Sequence, residues 1–176
     1  AGNTYRISAP SFFQVNTAQA EKMIQLVLDG LEVGPSSVVA DLYCGAGTFT
    51  LPLAQRADYV FAVESAASSV RDLRRNMEGI DGEIEVIGGD SAREVDPPRA
   101  GLAKGVTESI AASKAERVAY VSCDPATWAR DIARFAEAGY ELVRATPVDL
   151  FPQTFHVETV SILHRSSGRH TSHETR

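Results

Sequence analysis

The thiol of Cys123 is a candidate nucleophile because of its place in the sequence. It follows a continuous apolar run at 118–121, which predicts a strand covered on both faces of a parallel sheet. Parallel sheets open to ligands at the carboxyl ends of their strands, so a reactive thiol there is a candidate catalytic group. The alternative is a packing role, because cysteine is among the most buried residue types.

A second chemical feature is a glycine turn. Val38 to Tyr43 is expected to form a buried strand, and Gly45 and Gly47 separate it from a helix expected from Thr48. A strand, a glycine turn and a helix make up the nucleotide-binding unit of doubly wound α/β proteins, in which the ligand approaches the backbone closely. Thr50 replaces the third glycine of the dinucleotide motif, which weakens a pyrophosphate-binding interpretation. A packing turn is the alternative.

Two acidic residues follow the next two strands. Glu64 ends a strand expected at 59–63, about 20 positions past the turn, where a carboxylate can accept hydrogen bonds from ribose hydroxyls. A glutamate stabilised by a helix dipole is the competing interpretation. Asp90 follows a third strand, at 84–87, and could meet an adenine amino group. These positions indicate a nucleoside-like cofactor at one edge of a sheet.

Composition limits the class of protein. A chain of 176 residues, 44% hydrophobic, is expected to form a single domain. The net charge of −6 argues against broad, nonspecific nucleic-acid binding but leaves a nucleic-acid substrate possible. No stretch reaches the roughly 18 apolar residues of a membrane span, and no signal peptide is visible. We expect a soluble cytoplasmic protein with reduced thiols, without a metal site or a membrane partner, since Cys44 and Cys123 lack metal-ligand spacing.

The remaining elements follow from hydrophobic periodicity and end signals. Asn16 is expected to cap a helix over 17–30, and Trp128, Ile132 and Phe135 give a helix beginning at Pro125 an apolar stripe of core residues. Further helices are expected at 66–77 and 104–113, and further strands at 140–148 and 158–164.

The connection between Asp90 and Asp96 is too short to join two neighbouring parallel strands. Only 91–95 separate them, although a parallel sheet needs a crossover of about a dozen residues between neighbouring strands. We therefore expect a missing segment near 92–95.

Five motifs occur in order along the chain: FFQVN from Phe12, DLYCGAGTFTL from Asp41, DPPRAGL from Asp96, YVSCDP from Tyr120 and DLFPQTFHVE from Asp149. With these motifs the chain resembles the S-adenosylmethionine-dependent RNA uridine-5-methyltransferases, which act on tRNA and rRNA. The resemblance implies a Rossmann-like α/β methyltransferase fold over 1–165, with a mostly parallel seven-stranded sheet, an antiparallel last strand and helices on both faces. A polar tail, 166–176, is expected to be disordered.

The resemblance also implies the catalytic residues. Carbon 5 of uracil is a poor nucleophile, so a thiolate first adds to carbon 6, and Cys123 matches that nucleophile. Glu158 matches the base that later removes the proton from carbon 5. Asp96 matches the residue that holds the uracil edge. Arg99 is expected to orient the loop or form a structural ion pair.

Cofactor contacts carry over from the family in the same way. The residues expected to bind S-adenosyl-L-methionine are Gln14, Tyr43, Gly45, Glu64, Asp90 and Asp96. Asp41 is expected to brace the glycine turn rather than to contact the cofactor. His156 is expected to have a structural role, and Cys44 to be a small loop residue.

The implied partner is an RNA substrate, either tRNA or rRNA. The family carries an amino-terminal RNA-binding domain that this sequence lacks, so part of the RNA affinity is expected to come from an absent domain. One alternative is a catalytically incomplete fragment that binds S-adenosyl-L-methionine. Another is an amino-methyltransferase of nucleic acid, which would not need Cys123. A dehydrogenase shares the glycine turn but gives no reason for the other motifs to occur together.

Overall fold

The computed structural model describes residues 3–8, 16–88, 101–103, 105–150 and 157–166. These residues form five helices and six strands. The helices are α1 (Thr17–Leu31), α2 (Thr50–Ala54), α3 (Ala67–Asn76), α4 (Val106–Ala112) and α5 (Pro125–Glu137). The strands are β1 (Val38–Leu42), β2 (Tyr59–Glu64), β3 (Glu83–Gly88), β4 (Arg117–Ser122), β5 (Tyr140–Val148) and β6 (Glu158–Arg165).

The six strands form two three-stranded sheets. The first has the order β1-β2-β3 and is parallel throughout. In the second, β6 lies between β4 and β5 and runs antiparallel to both. Because β4 and β5 therefore share one direction, their carboxyl ends lie at the end of the sheet where β6 begins.

Helix α1 packs against elements of both sheets. Met23 and Val27 belong to a buried cluster built around β6. Ile24 and Leu28, on the adjoining part of the same face, pack with Val60 of β2. Each such side chain contributes about 1.5–3 kcal/mol relative to full exposure, so α1 is a principal link between the two sheets.

Local signals in the sequence account for most element ends. Asn16 caps α1 as predicted, since its Oδ1 accepts a hydrogen bond from the Gln19 backbone at 3.3 Å. β5 has the predicted bounds, and Gly139 separates it from α5 with a φ of 88°. Helix α2 begins at Thr50 rather than at Thr48, because 48–49 continue the glycine turn.

The prediction of a buried first strand is wrong for the start of β1. Val38 is 65% exposed, and Ala40, on the same face, is also exposed. Only Asp41, near the strand's end, is buried. Among the described strands, β1 has a hydrogen-bonded neighbour on one side only, which explains why the cover expected for a central strand is incomplete.

The antiparallel last strand is confirmed by the pairing of β6. The α/β class is confirmed too, although the described residues give six strands in two sheets rather than one seven-stranded sheet. The expected missing segment near 92–95 and the tail at 167–176 lie outside the described residues and stay predictions. No helix in the described part of the chain is long and apolar enough to span a membrane.

Candidate active site

The glycine turn after β1 uses left-handed backbone at three of five consecutive positions. Tyr43, Gly45 and Gly47 have φ values of 60°, 56° and 98°. Tyr43 is notable because a bulky residue rarely adopts a positive φ, and such backbone is concentrated at functional sites. The turn is fixed to β2 by a hydrogen bond from the Cys44 backbone to the Val63 carbonyl at 3.1 Å.

The two glycines of this turn have different surroundings. A Cβ added at Gly47 would lie 2.6 Å from Leu51 and 2.7 Å from Leu73, so this glycine allows close packing. A Cβ added at Gly45 would meet nothing within 4 Å in the described part of the chain. Gly45 therefore presents bare backbone to open space, which is the condition under which a ligand can approach it closely.

Glu64 lies beside the turn, as the sequence predicts. It is the last residue of β2 and is half-buried. Its Oε2 accepts a hydrogen bond from the Gly45 backbone at 2.9 Å, and its Oε1 accepts one from the Ala66 backbone at 2.8 Å. Each carboxylate oxygen has further acceptor capacity, so the group can also receive hydroxyl donors from a ligand at Gly45.

Asp41 braces the turn from inside the protein. It is 9% exposed, and its Oδ2 accepts a hydrogen bond from the Thr50 hydroxyl at 2.6 Å. This contact joins the end of β1 to the first residue of α2, across the turn. Burial raises the pKa of the Asp41 carboxyl to about 6; the hydrogen bond from Thr50 opposes the rise, and the charge of Glu64 adds to it.

Asp41→Asn should remove a pH-dependent component of stability. Because the folded state holds the Asp41 proton more tightly than the unfolded chain, with a pKa of about 6 against 3.8, its contribution is full below about pH 4 and is lost as the pH rises through 6. Relative to the unsubstituted protein, the variant should gain up to about 3 kcal/mol between pH 4 and pH 7. Urea unfolding across this range measures the difference, and a constant difference would contradict the raised pKa.

The two cysteines have different environments. Cys44 is 5% exposed and packs with Leu51, Ala62 and Leu73, whereas Cys123 is half-buried. Burial raises the pKa of the Cys44 thiol well above its usual range, and the negative charges of Asp41 and Glu64 add to the rise. Cys44 lies in the turn after β1, where a small loop residue was expected, and its side chain is buried in the core.

Thiol labelling should separate the two cysteines. The thiolate is the reactive form, so the buried and protonated Cys44 should not react in the native chain. Ellman's reagent is expected to modify Cys123 alone in the native protein, and both thiols after unfolding in guanidinium. Peptide mass mapping identifies the modified residue, and labelling of native Cys44 at a comparable rate would refute the prediction.

The register of β4 and β6 brings two predicted catalytic residues to one end of the second sheet. Ser122 of β4 pairs with Thr159 of β6. Cys123 follows Ser122, and Glu158 precedes Thr159, so continuing the register by one position sets Cys123 opposite Glu158. Both side chains are half-buried. A thiol that follows β4 and a carboxylate that begins β6 thus lie at the same end of the second sheet.

The segment that carries Cys123 is fixed at the start of α5. Asp124 caps this helix, since its Oδ1 accepts a hydrogen bond from the Thr127 backbone at 2.7 Å. That hydrogen bond lowers the pKa of the Asp124 carboxyl. Trp128 Nε1 donates to the Ser161 hydroxyl at 2.7 Å and so joins α5 to the buried centre of β6. Trp128 also packs in the core cluster with Phe135, as the apolar stripe predicts.

The described residues cover only part of the predicted site. Cys123, Glu158, Tyr43, Gly45 and Glu64 are placed at strand ends and turns as set out above. The other site residues and nearby candidates lie outside the described residues: Gln14, Asp90, Asp96, Arg99 and His156.

One buried polar group was missed by sequence reasoning. Asp131 is fully buried on α5 and accepts hydrogen bonds from the Tyr120 hydroxyl and the Leu102 backbone, each at 2.8 Å. A signal for it was present in the sequence. Asp131 lies three residues after Trp128 and four before Phe135, so it is a carboxylate at the spacing of the buried helix face.

Comparison of the fold with solved structures identifies the class of protein to which this domain belongs. The chain superposes on the crystal structure of the Pyrococcus abyssi tRNA (uracil-54, C5)-methyltransferase in complex with S-adenosyl-L-homocysteine with a TM-score of 0.75 and 35% identity. The match covers 90% of this chain and 41% of that one. M. jannaschii TYW2 in complex with AdoMet gives a TM-score of 0.60 at 20% identity, covering 93% of this chain and 83% of that one, and shows the fold alone. The fold and the glycine turn define a Rossmann-like methyltransferase domain.

Sequence relationships narrow the class to a family. The profile of the tRNA (Uracil-5-)-methyltransferase family matches residues 2–87 and 91–166, and the chain belongs to this family. An uncharacterized RNA methyltransferase of Streptococcus agalactiae is 42% identical over 180 aligned positions, which cover 92% of this chain and 40% of that protein. A similarly named protein of Streptococcus mutans is 41% identical over the same share of each. The chain thus spans about 40% of the length of these relatives.

Proposed function

We propose that this chain carries the catalytic machinery of an S-adenosyl-L-methionine-dependent enzyme that methylates carbon 5 of a uridine in tRNA or rRNA. The observation that carries the proposal is the β4–β6 register, which leads Cys123 and Glu158 to the same sheet edge. A methyltransferase acting on an amino group would need neither this thiol nor a base beside it. The relationship to a tRNA (uracil-54, C5)-methyltransferase at 35% identity supports the same target atom.

The cofactor fits the glycine turn. Gly45 faces open space, and the carboxylate of Glu64 lies against its backbone N–H at 2.9 Å. We expect Gly45 to allow close approach of the cofactor and Glu64 to accept hydrogen bonds from its ribose, with Tyr43 alongside. Gln14, Asp90 and Asp96 complete the set implied by the family. When bound, S-adenosyl-L-methionine supplies an electrophilic methyl group.

The reaction proceeds through a covalent bond between the protein and RNA. The thiolate of Cys123 adds to carbon 6 of the uracil, and the electron pair of the 5,6 double bond moves to carbon 5 as an enolate. Carbon 5 would then take the methyl group, whose bond to the sulfonium breaks as that sulfur becomes a neutral thioether. Glu158 accepts the proton from carbon 5, the double bond re-forms, and the thiolate of Cys123 leaves carbon 6. Asp96 is expected to hold the uracil edge during these steps.

RNA affinity is expected to come largely from outside this chain. Its net charge of −6 is unfavourable for contacts with phosphates, and it spans about 40% of its curated relatives. We infer that an amino-terminal RNA-binding domain, as in the family, supplies part of the affinity in a longer cytoplasmic enzyme.

We infer also that this chain lacks a segment of the family near 92–95, and that the lacking segment would hold the seventh strand. Three observations support this inference: the strands lie in two sheets, β1 has one paired side among the described strands, and the family match is interrupted between residues 87 and 91. The alignment with the Streptococcus agalactiae relative has 180 positions, more than the 176 residues of this chain. The relative therefore contains residues with no counterpart here.

An assay with tritiated S-adenosyl-L-methionine tests the proposal. The chain is incubated with uridine-containing transcripts of tRNA and rRNA, and the nucleosides are analysed by mass spectrometry. The expected product is 5-methyluridine. No label should be incorporated into RNA whose target uridine is already methylated at carbon 5. Label on an exocyclic amino group would overturn the assignment in favour of an amino-methyltransferase.

A hybrid chain addresses the incomplete-fragment alternative. In this hybrid, the extra residues of the Streptococcus agalactiae relative are inserted within 92–95, where the missing segment is expected. If the original chain binds S-adenosyl-L-methionine without turnover and the hybrid methylates RNA, the chemistry is as proposed and the original chain is an incomplete fragment. If both bind the cofactor and neither methylates any uridine, the proposed reaction is wrong for this chain.

A further inference from the structure

The carboxylate of Asp131 joins three separate segments around the start of α5. Its Oδ2 accepts hydrogen bonds from the Leu102 backbone and the Tyr120 hydroxyl, each at 2.8 Å. Its Oδ1 accepts from Arg130 Nε at 2.9 Å and lies 3.3 Å from Arg134 Nη1. Asp131 itself has no exposed surface. A buried carboxylate with donors on both oxygens forms charge-assisted hydrogen bonds, which are stronger than neutral ones.

Two of these segments flank Cys123. Tyr120 lies three residues before the cysteine on β4, and Asp131 is on the helix that begins two residues after it. Burial raises the pKa of the Tyr120 hydroxyl far above its usual value, and the neighbouring Asp131 adds to the rise. Tyr120 therefore keeps its proton and acts as a donor to the carboxylate. The bond closes the strand–turn–helix unit across the turn that contains Cys123.

The third segment follows the DPPR motif in the sequence. Gly101 has a φ of 74°, and a Cβ added there would collide with Arg130 Nη2 and Asp131 Oδ2. Arg134 Nη1 also donates to the Leu102 carbonyl at 3.3 Å. The segment at 101–103 is thus packed directly on the carboxylate, and a side chain at position 101 would displace Arg130 and Asp131 and strain the backbone.

We propose that Asp131 is a positioning residue that fixes the Cys123 turn relative to the segment at 101–103. The consequence for catalysis rests on the proposed function, in which Cys123 is the nucleophile. Asp131 acts through Tyr120 and through α5 and does not itself contact the substrate. We call the hydrogen bonds of Asp131 to Leu102 and Tyr120 the tether. Displacing a nucleophile by about 1 Å can lower a reaction rate by about 10²-fold, so loss of the tether should affect the chemical step more than substrate binding.

Asparagine at position 131 cannot replace the carboxylate. An amide has one acceptor oxygen and one donor nitrogen. If its nitrogen lies on the side of Leu102 and Tyr120, it faces two donors; if it is turned the other way, it faces the two guanidinium groups. In the first orientation the buried Leu102 N–H loses its acceptor, and in the second the partly exposed guanidinium groups of Arg130 and Arg134 lose the negative charge that holds them, so either orientation should loosen the tether.

Alkylation of Cys123 measures the tether without needing RNA or cofactor. We expect Asp131→Asn to raise the rate of Cys123 alkylation by iodoacetamide by about fivefold or more, because local opening exposes the thiol. Asp72→Asn is the matched control. Asp72 is 1% exposed on α3 and accepts a hydrogen bond from the Ser8 backbone at 2.8 Å, so it carries the same substitution at a buried carboxylate away from Cys123. Equal Cys123 alkylation rates in the two variants would overturn the proposal.

Steady-state methylation tests the catalytic consequence. Asp131→Asn should lower kcat by about tenfold or more with KM for S-adenosyl-L-methionine changed by less than about twofold. Tyr120→Phe, which deletes a single donor and keeps the ring, should show a smaller loss of the same kind. Loss of cofactor affinity in parallel with kcat would assign Asp131 a general structural role. If neither the unsubstituted chain nor the hybrid forms 5-methyluridine, the proposed function fails, whereas the alkylation comparison still decides the positioning.

Discussion

Replacing Cys123 by alanine should lower methyl transfer to RNA by at least about 10³-fold, the order of loss expected when a covalent nucleophile is removed. Without the thiolate, carbon 5 of uracil is not activated. The glycine turn and Glu64 are unchanged, so the affinity for S-adenosyl-L-methionine should stay within about twofold of the original. The effect should therefore appear in kcat and not in cofactor binding.

The covalent adduct gives this prediction a second readout. With RNA that carries 5-fluorouridine, carbon 5 has no proton to lose after methylation, so the protein–RNA bond should persist and appear as a shifted band on a denaturing gel. Cys123→Ala should give no band. Cys44→Ala should still give one, because Cys44 is buried in the core cluster with Leu51 and Leu73. An adduct in the Cys123→Ala variant would end the nucleophile assignment.

Most element ends could be predicted from the sequence because they depend on local chemistry. The Asn16 cap, the proline at the start of α5 and the positive φ of Gly139 are all signals within a few residues of the structure they determine. The apolar stripe of α1 likewise predicts its buried face, since Met23, Ile24, Val27 and Leu28 are all buried.

Features that depend on tertiary pairing were harder to predict. The exposure of Val38 depends on what lies beside β1, which periodicity within the strand does not specify. The tether at Asp131 depends on the approach of Leu102, 29 residues earlier in the chain. A carboxylate on an apolar helix face signals a buried partner, but nothing local identifies which partner.

The candidate site was predictable in part for the same reason. The position of Glu64 follows from the fixed spacing between a glycine turn and the next strand, and its contact with Gly45 agrees with that prediction. The proximity of Cys123 and Glu158 does not follow from spacing, because the two are 35 residues apart and meet only through the antiparallel β4–β6 register. The family resemblance supplied that pair, and the roles of both residues stay predictions.

The opposite end of the second sheet, where β5 pairs with β6, provides a control for the base. Glu141 is the second residue of β5, exposed, and pairs with His164 at the end of the sheet far from Cys123. Glu141→Gln makes the same chemical change as Glu158→Gln without altering the candidate site. Methylation by the Glu141 variant should therefore stay within about twofold of the original.

Glu158→Gln should separate methyl transfer from product release. Glutamine cannot accept the proton from carbon 5, so the thiolate of Cys123 cannot be eliminated at the normal rate. Turnover should fall by about 10²–10⁴-fold, the range for loss of a general base. A single round of methylation should still occur, and tritium from S-adenosyl-L-methionine should accumulate in a covalent protein–RNA band. Rapid turnover without that band would show that another group removes the proton. Loss of both methylation and adduct would show that Glu158 is needed for the addition of the thiolate to carbon 6, not for the later proton removal.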